Sequence, residues 1–172
     1  KCRGIRKMTA SDGFEGTNSG FHVYGKSGAL KFEAGLSAKR EPVLVVDGGN
    51  KGPSGIDWDN KIVIHLSSRE IPGFLCCVLG FTEKYDALHH GHEKNKSIHL
   101  VNQPERRRIF VKMARPEFAV LVPLPAEAVF RLGALALKVL GDQTGFDPAT
   151  CLAVLKDTAG RLYSHPLPAS SL

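Results

Sequence analysis

Apolar and polar residues alternate along several short stretches of the chain, and two groups of these stretches are followed by residues with helical spacing. In the first half, the alternation predicts strands near residues 21–26, 28–36, 43–47 and 61–66. In the second half, it predicts strands near residues 83–90, 97–102, 106–113 and 117–123. Pro123 cannot donate to a strand ladder, so the last strand is expected to end before it. The pattern is typical of sheets with one face on the core and the other in water.

A helix is predicted after the first group of strands. Ser67 and Glu70 have the spacing of a capping box, and apolar residues recur from Ile71 to Leu79 as a helical stripe. Gly80 is placed to end this helix.

A second helix is predicted from Ala126 to Leu140, with Pro125 suited to its first position and Gly141 at its end. It is apolar nearly all round, so we expect part of it to meet another subunit, with Gly133 and the alanines allowing close approach. The alternative is a helix wrapped entirely within its own monomer. A third, short helix is expected near residues 148–156, after the start signal Asp147-Pro148.

The chain has 172 residues, which is enough for one well-buried domain. Residues 1–20 are rich in Gly, Ser, Thr and charge without apolar periodicity, which predicts a flexible basic and polar arm. Residues 158–172 are predicted to form a C-terminal tail, and residues 21–157 a single domain.

Lys and Arg outnumber Asp and Glu by 23 to 17, and the formal charge of +6 favours polyanionic partners. In the most basic stretch, strand alternation would put Arg106, Arg108, Phe110 and Lys112 on one face. Cations interleaved with an aromatic ring can follow a phosphate backbone and cover a base, although a solvated charged face has the same pattern. The predicted RNA-binding residues are Lys26, Lys31, Lys39, Arg40, Lys61, Lys84, Arg106, Arg107, Arg108, Phe110 and Lys112.

Other chemistry is not indicated. The four cysteines form no C-x-x-C pair, which favours a reducing compartment over a zinc site or a disulfide framework. His89, His90 and His92 lack an acidic or thiol partner at a defined spacing and are expected on the surface rather than around a metal. Residues 48–52 contain a G-x-x-G pattern without the flanking helices that its RNA-binding use requires, so a flexible connection between strands is expected.

No catalytic signature stands out, because the chain has neither a nucleophile elbow nor a regularly spaced pair of carboxylates. We therefore expect a protein that is not an enzyme and needs no cofactor or metal. No apolar run reaches the roughly 20 residues of a spanning helix, so no membrane partner is expected.

Four stretches together resemble the Whirly family of single-stranded nucleic-acid-binding proteins. They are the corner from Tyr24 to Leu30, the pair Asp57-Trp58, the helix start from Leu66 to Gly73, and the stretch from Ala126 to Phe130. The resemblance covers most of residues 21–141. The corner departs from the family pattern, since Lys26 and Ser27 stand where Gly and a second Lys would align.

The resemblance implies an α+β fold of Whirly type, with two antiparallel four-stranded sheets, each followed by a helix, and helices packed in an oligomer core. Within this fold the chain is most similar to the kinetoplastid mitochondrial guide-RNA-binding proteins of RNA editing. That likeness implies a heterotetramer with a related subunit in the mitochondrial matrix, where it binds guide RNA and promotes annealing to complementary mRNA. The alternatives are a Whirly-type single-stranded DNA binder in organelle DNA maintenance or transcription, and a structural subunit that docks an acidic protein.

Overall fold

The computed structural model describes residues 20–160, in which two antiparallel sheets are each followed by helical structure. The strands of the first sheet are β1 (Phe21–Tyr24), β2 (Gly28–Leu36), β3 (Pro42–Gly52), β4 (Gly55–Ile56) and β5 (Ile62–Leu66). The strands of the second sheet are β6 (Lys84–His90), β7 (Lys96–Gln103), β8 (Arg108–Arg115) and β9 (Phe118–Pro125). The helices are α1 (Ile71–Val78), α2 (Ala126–Thr144) and α3 (Pro148–Leu155). The predicted pair of sheets, each followed by a helix, is confirmed, and the short β4 is an addition to the first sheet.

Each sheet is built from neighbouring strands that pair in register. In the first sheet, β2 lies between β1 and β3, and β5 pairs with the other edge of β3, while β4 folds back on the end of β3. The second sheet has the order β6-β7-β8-β9. This register places alternate residues of most strands on a buried face and the residues between them on an outer face. The exception is β3, in which residues 43–49 are buried on both faces.

The core lies between the inner faces of the two sheets and the helices. Phe32 and Ile64 of the first sheet and Val111 and Val120 of the second are almost completely buried. The sheets approach closely at Gly48, where an added Cβ would lie only 2.8 Å from the sulfur of Met113. A glycine in the middle of β3 is therefore required by packing between the sheets.

The predicted capping box before α1 forms only in part, because Ser67 bonds to the Glu70 carboxylate while no described side chain caps the first N–H groups of the helix. The Ser67 N–H donates to Glu70 Oε2 at 2.9 Å, and the Ser67 hydroxyl donates to the same oxygen at 2.7 Å. At the other end, Gly80 has a φ of +80° and its N–H donates to the Cys77 carbonyl at 3.0 Å. The predicted helix stop at Gly80 is confirmed, because this backbone conformation favours glycine.

The helices α1 and α2 pack against each other within the monomer. An added Cβ at Gly133 would lie 3.6 Å from Val78 Cγ1, so this glycine sits where α2 meets α1. The prediction that Gly133 serves approach to another subunit is therefore wrong for this residue. The predicted α3 is confirmed, and Asp147 Oδ1 caps it by accepting hydrogen bonds from the N–H groups of Ala149 and Thr150 at 3.0 Å.

The predicted boundaries of β3, β9 and α2 are wrong. The strand β3 continues through the glycines to Gly52, where a flexible connection was expected. The strand β9 continues through Pro123, which is tolerated because β9 is the edge strand of its sheet. The helix α2 passes Gly141 and ends at Thr144, with Gly145 as its C-cap. Gly141 instead makes room for the returning chain, since an added Cβ would lie 2.7 Å from the Phe146 carbonyl oxygen.

Residues 1–19 and 161–172 lie outside the described residues, and with them most of the predicted arm and tail. Within residues 20–160, no helix combines the length and the apolar character that crossing a bilayer requires.

Candidate nucleic-acid interface

The outer face of the second sheet brings together most of the second-half cations that the sequence singles out. One row across the strands contains Lys84, Val101, Phe110 and Pro123, and the next contains Asp86, His99, Lys112 and Leu121. We call this surface the basic face, and it is defined by these eight residues together with Gln103 and Arg108.

The cations of the basic face are largely uncompensated. Lys84 and Lys112 are exposed, and no carboxylate among residues 20–160 lies within ion-pair distance of either. Asp86 is the one carboxylate in the two central rows, and its Oδ1 lies 2.7 Å from His99 Nδ1. The Arg108 Nε–H donates to Gln103 Oε1 at 2.8 Å, which orients a guanidinium that carries further N–H donors. The surface therefore presents positive charge that is free to meet phosphate.

An apolar strip runs between these cations. Phe110 is half-buried and lies between Val101 and Pro123 in the same row. Val101 is 42% exposed and Leu121 is 40% exposed, so this strip faces solvent from β7 across to the edge strand β9. A surface with an accessible aromatic ring and flanking cations can hold both the backbone and the bases of a single strand.

Arg106 and Arg107 do not lie on the strand with Arg108. Arg106 belongs to a 3₁₀ turn, Pro104–Arg106, and Arg107 has a φ of 51° in the turn before β8. The predicted strand placement of Arg106 beside Phe110 is wrong because Pro104 favours a turn there. Both arginines are exposed at the end of the basic face, next to the row of Gln103 and Arg108.

Two of the predicted RNA-binding lysines lie on the first sheet, and each is paired with a carboxylate. Lys31 Nζ lies 2.7 Å from Glu33 Oε2, and Lys61 Nζ lies 2.6 Å from Asp47 Oδ2. The outer face of this sheet therefore balances its lysines with carboxylates. The Lys31–Glu33 pair could have been predicted from the sequence, since residues two apart on a strand have side chains on the same face.

The remaining predicted cations lie at the two ends of β2. Lys26 is exposed in the hairpin between β1 and β2, whereas Lys39 and Arg40 are exposed in the hairpin between β2 and β3. The fold therefore brings Lys84, Arg108, Phe110 and Lys112 together and separates them from the cations of the β2–β3 hairpin.

Sequence reasoning missed a group of rings on the first sheet. His22 and Tyr24 lie on its outer face, and the Trp58 ring centroid is 5.4 Å from that of His22. The alternation of β1 places His22 and Tyr24 on one face, but nothing local predicts that Trp58 joins them.

The reactive or metal-binding residue types elsewhere in the described chain have contacts and burial that indicate roles in the fold. His90 Nε2 lies 2.8 Å from Glu70 Oε1, next to the start of α1. Burial raises the pKa of the Cys77 thiol to about 11 and also raises that of Cys76, which disfavours the reactive thiolate. In the described part of the chain, no three His, Cys, Asp or Glu side chains are grouped so that they could hold a metal ion.

The two antiparallel sheets, each followed by a helix, define an α+β fold of Whirly type. A solved structure with this fold is that of MRP1/MRP2 from Trypanosoma brucei, which superimposes with a TM-score of 0.56 and covers 77% of this chain and 90% of that chain. The identity is 14%, so the likeness is one of fold. No protein-family model matches the sequence, and no curated protein matches it significantly.

Proposed function

We propose that this protein binds single-stranded RNA on the basic face and promotes annealing of a guide RNA to complementary mRNA in mitochondrial RNA editing. The observation that carries the proposal is the basic face itself, where unpaired Lys84 and Lys112 flank an exposed apolar strip around Phe110. The role is binding rather than catalysis. The fold shared with MRP1/MRP2 supports it, as does the sequence resemblance to guide-RNA-binding proteins.

The mechanism is charge neutralisation. Lysine and arginine side chains replace the counterions condensed on the RNA phosphates, so a complementary strand meets less repulsion. Phosphate contacts carry little sequence information, so the protein binds guide RNAs of different sequence with similar affinity. The matrix of the mitochondrion is the proposed site of action.

A related subunit completes the proposed particle, a heterotetramer. The outward side of α2 supports this, because Phe130 is 77% exposed and Ala134 is also exposed on the same helix. Val154 of α3 is 53% exposed and is a further apolar side chain that the helices leave in solvent. Burial of these side chains against a partner helix would remove apolar area from water.

The test is a salt series of RNA binding and annealing with the triple variant Lys84→Ala, Arg108→Ala and Lys112→Ala. Each single-strand phosphate contact contributes about −0.7 to the slope of log affinity against log salt, so the variant should lose about two units of slope. Annealing of two complementary RNAs should slow in parallel. The matched control is Arg69→Ala, Lys94→Asn and Lys156→Ala, which removes the same charges at exposed positions away from the basic face.

Equal salt slopes and annealing rates for the triple variant and the wild type would overturn the proposal. A competition between RNA and DNA strands of the same sequence separates it from a single-stranded DNA-binding role, which predicts preference for DNA. Salt-insensitive association with an acidic protein, without RNA binding, would instead indicate a docking subunit.

A further inference from the structure

Three aromatic side chains form a cluster on the outer face of the first sheet, away from the basic face. The His22 and Tyr24 rings stack with centroids 6.0 Å apart and planes 16° apart, and Trp58 meets His22 edge to face with centroids 5.4 Å apart. Tyr24 is 67% exposed, so one ring face of the cluster is open to solvent. An accessible ring of this kind is available for stacking.

The backbone holds Trp58 in its place. An added Cβ at Gly49 would lie 3.3 Å from Trp58 Cε3 and 2.8 Å from Ile56 Cγ2, so the indole rests where β3 has no side chain. The Asp57 N–H donates to the Asn50 carbonyl at 2.8 Å, and the Trp58 N–H donates to the Ile56 carbonyl at 3.1 Å. The cluster is therefore ordered before any ligand arrives.

The cluster has little positive charge of its own, since Lys31 and Lys61 on this face are paired with Glu33 and Asp47. Exposed Asp57 and Asp59 flank Trp58 and repel phosphate on that side. Electrostatic attraction alone could not hold an RNA strand at this cluster. The cluster therefore requires a neighbouring site that binds the phosphate backbone of the RNA.

The hairpin after Tyr24 supplies that connection. An added Cβ at Gly25 would lie 3.5 Å from both methyl groups of Val122, which is buried on the inner face of β9. The hairpin therefore lies beside the edge strand of the sheet whose outer side is the basic face. Lys26 follows, exposed and without a carboxylate at ion-pair distance among residues 20–160. An RNA strand that leaves the basic face across β9 would pass its phosphates by Lys26 and bring a base to Tyr24.

We propose that His22, Tyr24 and Trp58 form a subsite for an unpaired nucleobase, which stacks on the open ring of Tyr24. The proposal rests on the function proposed above and adds that the protein distinguishes single strands from duplexes, whose bases are already stacked. It also means that at least one base of the bound strand is held by these three rings on the first sheet.

The chain has a single tryptophan, so its fluorescence reports directly on this cluster. The experiment compares a single-stranded RNA with an abasic phosphodiester strand of the same length and charge at the same salt concentration. The RNA should change the Trp58 emission, whereas the abasic strand should bind without doing so. Tyr24→Ala should weaken RNA binding about tenfold and leave abasic-strand binding unchanged.

Tyr24→Phe keeps the ring and should bind RNA as the wild type does. Phe146→Ala is the matched control, because Phe146 is 59% exposed in the turn between α2 and α3. Suppose that RNA binds and that the basic-face triple variant lowers the salt slope by about two units, while Trp58 emission and Tyr24→Ala affinity stay at wild-type values. Then the subsite is wrong and the proposed function stands. If neither strand binds at low salt, the proposed function fails and the subsite with it.

Discussion

Lys61 Nζ lies 2.6 Å from Oδ2 of Asp47, whose side chain is only 3% exposed on the outer face of the first sheet. The other carboxylate oxygen of Asp47 has no hydrogen-bond partner among the described residues. A buried carboxylate is costly unless a cation compensates it. Lys61 therefore supports the fold, which distinguishes it from Lys84 and Lys112 on the basic face.

Replacing Lys61 tests this distinction. Lys61→Met leaves the buried Asp47 carboxylate unpaired and should lower the free energy of unfolding by about 2 kcal/mol, while RNA affinity changes little. The double variant Lys61→Met, Asp47→Asn removes the buried charge and should recover part of the loss. Urea denaturation and RNA binding measure the two effects.

The control is Lys112→Met, at an exposed position, which should change stability by no more than about 0.5 kcal/mol and should weaken RNA binding. A Lys61→Met protein that is fully stable but binds RNA poorly would assign Lys61 to phosphate contact instead.

Local signals were sufficient for most of the elements. Alternation in β2 and β5, the Ser67 and Glu70 spacing, and Gly80 each act over a few residues, so the sequence predicts the strands and the end of α1. The predicted end of α2 at Gly141 is wrong, because the sequence does not distinguish a glycine within a helix from a glycine that ends it. The close contact of Gly141 with the Phe146 carbonyl, which requires a glycine there, is a feature of the folded chain.

The site was harder to predict because it depends on which strands pair. Arg108, Phe110 and Lys112 follow from the alternation of one strand, but Lys84 joins them only through the register of β6, β7 and β8. The pairing of Lys61 with Asp47 likewise requires β5 to lie beside β3. Long-range register of this kind is not written in any single stretch of sequence.

Gly49 is predicted to be intolerant of any side chain. An added Cβ would lie 2.8 Å from Ile56 Cγ2 and 2.9 Å from the Asp57 carbonyl oxygen, so Gly49→Ala should displace the Trp58 segment. The expected loss of stability is about 1–3 kcal/mol, as for other overpacked sites. Chemical denaturation followed by Trp58 fluorescence measures both the stability and the environment of the ring.

Gly52→Ala is the matched control on the same strand, since its added Cβ would lie 3.6 Å from the Gly55 carbonyl oxygen, an ordinary contact. Equal stability of the two variants would contradict the packing of Trp58 on Gly49.

Glu70 should make the fold sensitive to acid. Burial of this carboxyl acts to raise its pKa, but His90 and the hydrogen bonds from Ser67 outweigh burial and lower the pKa from 4.5 to about 2. Because the folded pKa is the lower one, Glu70 stabilises the fold above pH 4.5, and this contribution is lost as the pH falls from 4.5 towards 2. Thermal melts across this range should therefore show falling stability.

Glu70→Gln should be less stable than the wild type at pH 6 and should lose less stability between pH 4.5 and pH 2.5. Glu83→Gln, at an exposed position, serves as the control and should follow the wild-type curve. Parallel curves for Glu70→Gln and the wild type would argue against the contact with His90 and Ser67.

The exposed side of α2 should govern assembly. Phe130 is 77% exposed on a helix whose opposite side is buried, and Ala134 one turn later leaves room for a neighbouring helix. Phe130→Asp would place a charge in an apolar contact and should convert an oligomer into a monomer, with the stability of the monomer little changed. Light scattering of the purified chain, alone and with a related subunit, measures the mass against 18.7 kDa per chain.

Lys156→Asp, a control at an exposed position after α3, should leave the mass unchanged. If the Phe130→Asp protein keeps the mass of the wild type, α2 does not form the subunit contact.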